Sequence, residues 1–187
     1  MSKKYIIRKT ELKDAEQYVR LNIFVWRDAY KDIFPENVFI EREEKIRRNI
    51  ENFSKHQLEN PNGISYVAEN EGKIVGIMSG LYVSGIQHFK GQGFADLKAL
   101  YIHPDFQHIG IGKALFDVFV NEIEKKGITK FVIGVLKDNR KARNAYEKWG
   151  GKLDEYTQPF VKLGVGYDEV FYTYDLTKEN KLKGEKI

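Results

Sequence analysis

The 187-residue chain carries 42% hydrophobic and 13% aromatic residues, ample for a packed core, and 31 Lys+Arg against 27 Asp+Glu give a formal net charge of +4. So mild a basic excess, without long Lys/Arg blocks, argues against a dedicated nucleic-acid binder, and the absence of cysteine excludes disulfides, a thiolate nucleophile and thiolate metal sites. The opening MSKKYIIRKT lacks the apolar core of a signal peptide and no stretch is long enough to span a bilayer, so a cytoplasmic protein with no membrane partner is expected.

Taken in order, Tyr5 to Arg8 suits a first strand, and Thr10, Glu11 and Asp14 mark a helix start. Apolar residues from Ala15 to Tyr30 recur at helical spacing, with Leu21, Phe24 and Val25 around the middle, which predicts a mostly buried helix. Pro35 breaks it, and Glu36 to Leu58 reads as one further, highly charged helix with Val38, Ile46, Ile50 and Phe53 inward. Ile64–Ala68 and Lys73–Val83 are β-rich runs joined by Glu69-Asn70-Glu71-Gly72, a hairpin signature. Ser84 to Gly93 is a loop, Phe94 to Ile102 a central strand, and the helix after Gly112 ends at Lys125-Lys126-Gly127. Phe131 to Leu136 is an unbroken apolar run, as in a strand covered on both faces. Strand, helix, strand of this length forms a βαβ unit with parallel strands. A last helix starts near Asn139 and ends at Gly150-Gly151. Lys152–Thr157 and Tyr167–Leu176 are strands around a loop holding Pro159, Gly164 and Gly166, and the charged tail over 177–187 is expected to fray. Residues 5–176 would make one domain.

The stretch Asp96–Phe116, DLKALYIHPDFQHIGIGKALF, sets a glycine-permitted loop directly on a helix N-terminus, where unpaired N–H groups and the positive end of the helix dipole can hold an anion. A P-loop is excluded because Gln107 stands where its first glycine belongs and Ala114 follows Lys113; a dinucleotide fingerprint fails at Leu115. What remains is Gln107-His108-Ile109-Gly110-Ile111-Gly112, a Gln/Arg-x-x-Gly-x-Gly/Ala pattern between a strand and a helix.

With the LYIHPDFQ lead-in and the second motif Asn139-x-x-Ala142-x-x-x-Tyr146-Glu147-Lys148-x-Gly150, the chain resembles the GNAT superfamily of acyl-CoA-dependent N-acyltransferases. The resemblance implies an α/β fold of α+β type, a central mixed sheet of six to seven strands with about four helices and splayed parallel central strands. It implies acetyl-CoA as cosubstrate, no metal, and an acetyl group passed to a primary amine by direct attack in a ternary complex. The alternative is a CoA-binding sensor or protein-interaction module on the same fold. The acceptor would be a small-molecule or protein amine, and a homodimer is one compatible assembly. Two departures are Gly150-Gly151 where the family often has Gly-Phe, and Gln107 where it often has Arg.

The resemblance also assigns roles. Backbone groups of Leu100, Tyr101 and Ile102 would pair with the pantetheine arm, although the same side chains also read as core. Gln107, His108, Ile109, Gly110, Ile111, Gly112 and Lys113 would hold the pyrophosphate, with Asn139 and Lys148 as further cofactor contacts. Arg140, Lys141 and Arg143 are candidates of the same kind or a solvated basic face. Tyr146 would protonate the leaving thiolate, the alternative being a core aromatic on the same helix face as Ala142 and Trp149, and Asp96 would act as base, directly or through water, the alternative being a solvated strand-end carboxylate. The acceptor is expected near Trp26–Glu36 and Tyr156–Tyr167, where Trp26, Tyr30, Phe34, Asp28 and Asp32 offer aromatics and carboxylates. The four histidines, His56, His88, His103 and His108, lack ligand spacing.

Overall fold

The structure is a computed structural model describing residues 4–177. Seven strands make one mixed sheet: β1 (Ile6–Lys9), β2 (Gly63–Asn70), β3 (Lys73–Leu81), β4 (Phe94–Ile102), β5 (Lys130–Leu136), β6 (Lys152–Lys162) and β7 (Val165–Asp175), in the order β1-β2-β3-β4-β5-β7-β6. Among the described residues five α-helices accompany it: α1 (Ala15–Tyr30), α2 (Glu36–Glu44), α3 (Ile46–Glu51), α4 (Ile111–Glu124) and α5 (Arg140–Lys148). The expected βαβ unit is present, with Phe94, Ala95 and Asp96 parallel to Lys130, Phe131 and Val132. The β1–β2, β5–β7 and β6–β7 pairs are antiparallel. The expected tail lies, beyond Thr177, outside the described residues. Among the described residues no helix is long and apolar enough to cross a membrane.

The chain divides into two compact units, one of the residues up to Gly80 with Lys98–Val120, the other of Leu81–Leu97 with the residues from Asn121 on. In the first, the periodic face of α1 buries Tyr18, Val19, Leu21, Ile23 and Val25 against Phe53, Val67, Ile74 and Ile77, the driving force being apolar surface removed from water. Phe24 departs from the expected burial: it is half exposed and stacks on His103 at 5.2 Å. Arg8 ties the N-terminal strand down, its guanidinium donating to both oxygens of Asp14 at 2.7 and 2.8 Å and to Glu69 at 2.9 Å. In the second unit, Phe89, Val132 and Phe171 form a core with Ile86, Phe94 and Tyr156 packed on it.

Two sequence expectations are corrected. Glu36–Leu58 is not one helix but α2, α3 and a π-helical turn over Ser54–Leu58. The backbone flattens at Lys45 (φ −87, ψ 0) and Asn52 (φ −93, ψ 6), and the Asn52 amide donates to the Arg48 carbonyl at 2.8 Å, a local side-chain bond of the kind that competes with helix continuation. The loop expected around Pro159, Gly164 and Gly166 is instead strand on both sides of a two-residue turn, Leu163 (φ 47) and Gly164 (φ 80). Two successive positive φ values match the right-handed twist of a hairpin. Pro159 is accommodated because β6 ends the sheet and has one neighbour.

Candidate active site

In the first unit β4 delivers Leu100, Tyr101 and Ile102, all half-buried, and Tyr101 packs on the α1 core. A 3₁₀ turn over Pro104–Phe106 follows, capped by His103, whose Nδ1 accepts from the Asp105 N–H at 3.3 Å. Gln107 then turns its side chain back and donates to the Ile102 carbonyl at 3.0 Å. The amide therefore braces the loop on the strand end. His108 (φ 62) and Gly110 (φ 94) are both left-handed, and exposed with Ile109 between them. The first helical bond, Ala114 N–H to Gly110 C=O at 3.0 Å, leaves the first-turn amides of Ile111, Gly112 and Lys113 without an intrahelical acceptor, at the positive end of α4. Alternating left-handed backbone followed by a helix N-terminus is a concave array of donors suited to phosphate oxygens. Lys113 pairs with Asp117 one turn along and lies over the Phe116 ring at 5.5 Å.

In the second unit Asn139 caps α5, its side-chain oxygen accepting from the Ala142 N–H at 3.2 Å, as the sequence suggested. Tyr146, half-buried, sits on the next two turns with its ring 6.1 Å from those of Trp149 and Tyr172. Its carbonyl accepts from the Tyr174 hydroxyl at 2.8 Å. Arg143 is half-buried: its Nε donates to the Tyr172 hydroxyl at 3.1 Å and its Nη1 to the Lys137 carbonyl at 2.9 Å. Tyr172 in turn donates to Glu147, and burial together with that carboxylate pushes its hydroxyl up from the ordinary tyrosine value. Lys148 and Arg140 are exposed. Asp96, on β4 opposite Val132, is only 2% exposed and so is not a solvated strand-end carboxylate.

Side chains in the stretches expected to hold an acceptor also have partners within the fold. Trp26, Tyr30 and Phe34 are core, packed on one another and on Phe39 with centroids 5.0–6.4 Å apart, the Trp26–Phe34 pair stacked. Asp28 pairs with Lys31 at 2.9 Å. Tyr156 stacks on His88 at 4.2 Å and packs on Phe171. Sequence reasoning missed Tyr174 and Tyr172, whose alternation along β7 sets two hydroxyls on α5. The only cue was that Gly151, in place of a phenylalanine, leaves room for an aromatic from elsewhere. Among the described residues no group of His, Asp and Glu could hold a metal ion.

The sheet is mixed with a parallel β4–β5 pair, the first unit carries a glycine loop opening α4, and the second a capped α5 with Tyr146. The acetyltransferase (GNAT) family matches over residues 24–151, and the chain belongs to that family, as an acetyl-CoA-dependent acetyltransferase. No curated protein matches it. Among solved structures it is similar to the PaiA N-acetyltransferase of Thermoplasma acidophilum in complex with coenzyme A, with 20% identity, TM-score 0.74 and coverage of 92% of this chain and 99% of that one. The ribosomal-protein-S18-alanine N-acetyltransferase of Escherichia coli is 17% identical, with TM-score 0.64 and 92% and 94% covered. YncA of Salmonella typhimurium, a putative acetyltransferase with its cofactor acetyl-CoA, is 16% identical, with TM-score 0.63 and 92% and 94% covered. At such identities the likeness is one of fold.

Proposed function

We propose that this protein is an N-acetyltransferase whose residues 5–176 form one domain and whose acceptor, a primary amine, attacks the thioester of acetyl-CoA directly in a ternary complex. The observation that carries the reading is the Gln107–Lys113 loop, with left-handed His108 and Gly110 leading into the open first turn of α4. The pyrophosphate of acetyl-CoA fits that donor array, and Leu100, Tyr101 and Ile102 would offer backbone groups to the pantetheine arm, one N–H polarising the thioester carbonyl. Asn139 and Lys148 would add contacts to the arm and phosphates. As the new C–N bond forms and the C–S bond breaks, the Tyr146 hydroxyl gives its proton to the leaving thiolate. The amine's proton leaves to Asp96 or, through water, to solvent. With no cysteine in the chain, no acyl-cysteine intermediate intervenes.

The test is release of free CoA thiol from acetyl-CoA across a panel of amines, with the acetylated product identified by mass spectrometry. Acetyl-CoA binding by calorimetry without thiol release from any amine would make the protein a sensor instead. An Asp96→Asn variant with an unaltered pH–rate profile would remove that carboxylate as base.

A further inference from the structure

Arg42, in the last turn of α2, lies over the Trp26 ring with its guanidinium carbon 4.5 Å from the centroid. Its Nη2 donates to the Asn22 side-chain oxygen at 2.5 Å, while its Nε is buried and meets no acceptor. Other arginines are differently placed: Arg8, Arg20, Arg27 and Arg47 each hold a carboxylate at 2.7–3.0 Å. Arg42 holds no carboxylate among the described residues, its partners being the Asn22 side chain and the Trp26 ring. Burial pulls its pKa below the usual arginine value.

A guanidinium taken out of water without a counter-ion is costly, and one aromatic face with the C-terminal end of a helix offsets that only in part. The missing element is an anion. Tyr101, on the β4 segment that the proposed function assigns to the pantetheine arm, packs on the buried core of α1, the helix that also carries Asn22 and Trp26. Asn22, bonded to Arg42, also lines a cavity of about 180 Å³ with Tyr18, Phe53, His56 and Gln57, an amide-and-aromatic space for an uncharged part of a ligand.

Resting on the N-acetyltransferase reading, we infer that Arg42 is the specificity residue for the acceptor, and that the acceptor is an amine bearing its own anionic group, a carboxylate or phosphate, which pairs with the guanidinium fork. The aromatics once expected to cradle a substrate cation instead carry a cation of the protein, and the selectivity is inverted: zwitterionic amines over polycationic ones.

The experiment uses matched acceptors: phenylalanine against phenylalaninamide and glycine against glycinamide for carboxylates, O-phosphoethanolamine against ethanolamine for phosphates, and spermidine as polycation. For each, kcat/KM is measured, together with binding by tryptophan fluorescence in the absence of acetyl-CoA, since Trp26 lies under the guanidinium. The anionic member of at least one pair is expected to be favoured about tenfold to a hundredfold. Arg42→Met is expected to abolish that ratio while calorimetric affinity for CoA stays as in the wild type, and Arg42→Lys to retain part of it. Which pair responds separates carboxylate from phosphate. Equal use of both members of every pair, preference for spermidine, or an Arg42→Lys variant with full discrimination overturns the inference. Binding of an anionic member without acetyl transfer to any amine would leave Arg42 standing and overturn the proposed reaction.

Discussion

The Tyr174 hydroxyl donates to the backbone carbonyl of Tyr146 at 2.8 Å, and it can do so because Gly151 has no side chain: a Cβ there would sit 2.7 Å from that hydroxyl and 2.9 Å from the Tyr146 carbonyl oxygen. The ring is fixed from its other side by stacking on Phe131 at 4.2 Å. β7 therefore holds the C-terminal turn of α5, and with it the Tyr146 side chain, in one position. Tyr174→Phe removes the bond but keeps the stack, so a loss of about 1 kcal/mol in stability is expected. Turnover should fall several-fold while KM for acetyl-CoA changes little. Chemical denaturation and steady-state kinetics measure the two; unchanged kcat would show that Tyr146 needs no such brace.

Tyr146→Phe keeps the ring and its contacts and deletes the proton. A positioned acid of this type contributes on the order of a hundredfold or more to rate. The expected outcome is a fall of that order in thiol release with calorimetric affinity for acetyl-CoA preserved. Wild-type turnover over a range of pH would take Tyr146 out of the mechanism.

Gly110→Ala places a side chain at φ +94, a conformation that costs an L-residue about 1–2 kcal/mol. Space is not the obstacle, since the nearest atom to a Cβ is the Tyr5 hydroxyl at 3.6 Å. Strain should rotate the loop and misdirect its amides, so the affinity for CoA is expected to drop about tenfold or more, with a smaller effect on desulfo analogues that keep the pyrophosphate only if the loop binds elsewhere. Calorimetric titration with CoA and with dephosphorylated pantetheine separates these: pantetheine affinity should be untouched.

Acid sensitivity is expected at Asp14. Burial opposes its charge, yet the Arg8 fork and the Glu11 N–H outweigh that penalty and hold its pKa below the usual aspartate value. A depressed carboxylate stabilises the fold fully above its unfolded value, about 3.9, and the contribution disappears as pH falls through the folded value. Asp14→Asn should therefore cost about 2 kcal/mol at neutral pH, a deficit that shrinks below about pH 4. Urea midpoints at several pH values provide the measurement; a constant deficit would rule out the ion pair as its source.

What was legible in the sequence is what local pattern dictates. The bounds of β4, the glycine loop, the Asn139 cap and the basic-then-glycine end of α4, with Gly127 at φ +72, all follow from residues within a few positions of one another. Contacts that join distant residues were not legible. Nothing near Trp26 announces that Arg42 will lie over it, and nothing near Gly151 points to Tyr174. The last hairpin was misread because a leucine at positive φ is uncommon, so Leu163-Gly164 carries little turn signal, while Pro159 looks like a loop residue unless β6 is known to be an edge.

That edge has a consequence for colloidal behaviour. β6 is eleven residues long, leaves Leu153 and Val161 more than half exposed, and has β7 as its one neighbour, the ingredients of a template on which another chain could add. Pro159 takes one N–H out of that strand near its middle. The imino acid works as a gatekeeper against strand-by-strand growth, a service to solubility at high concentration that is separate from acetyl transfer.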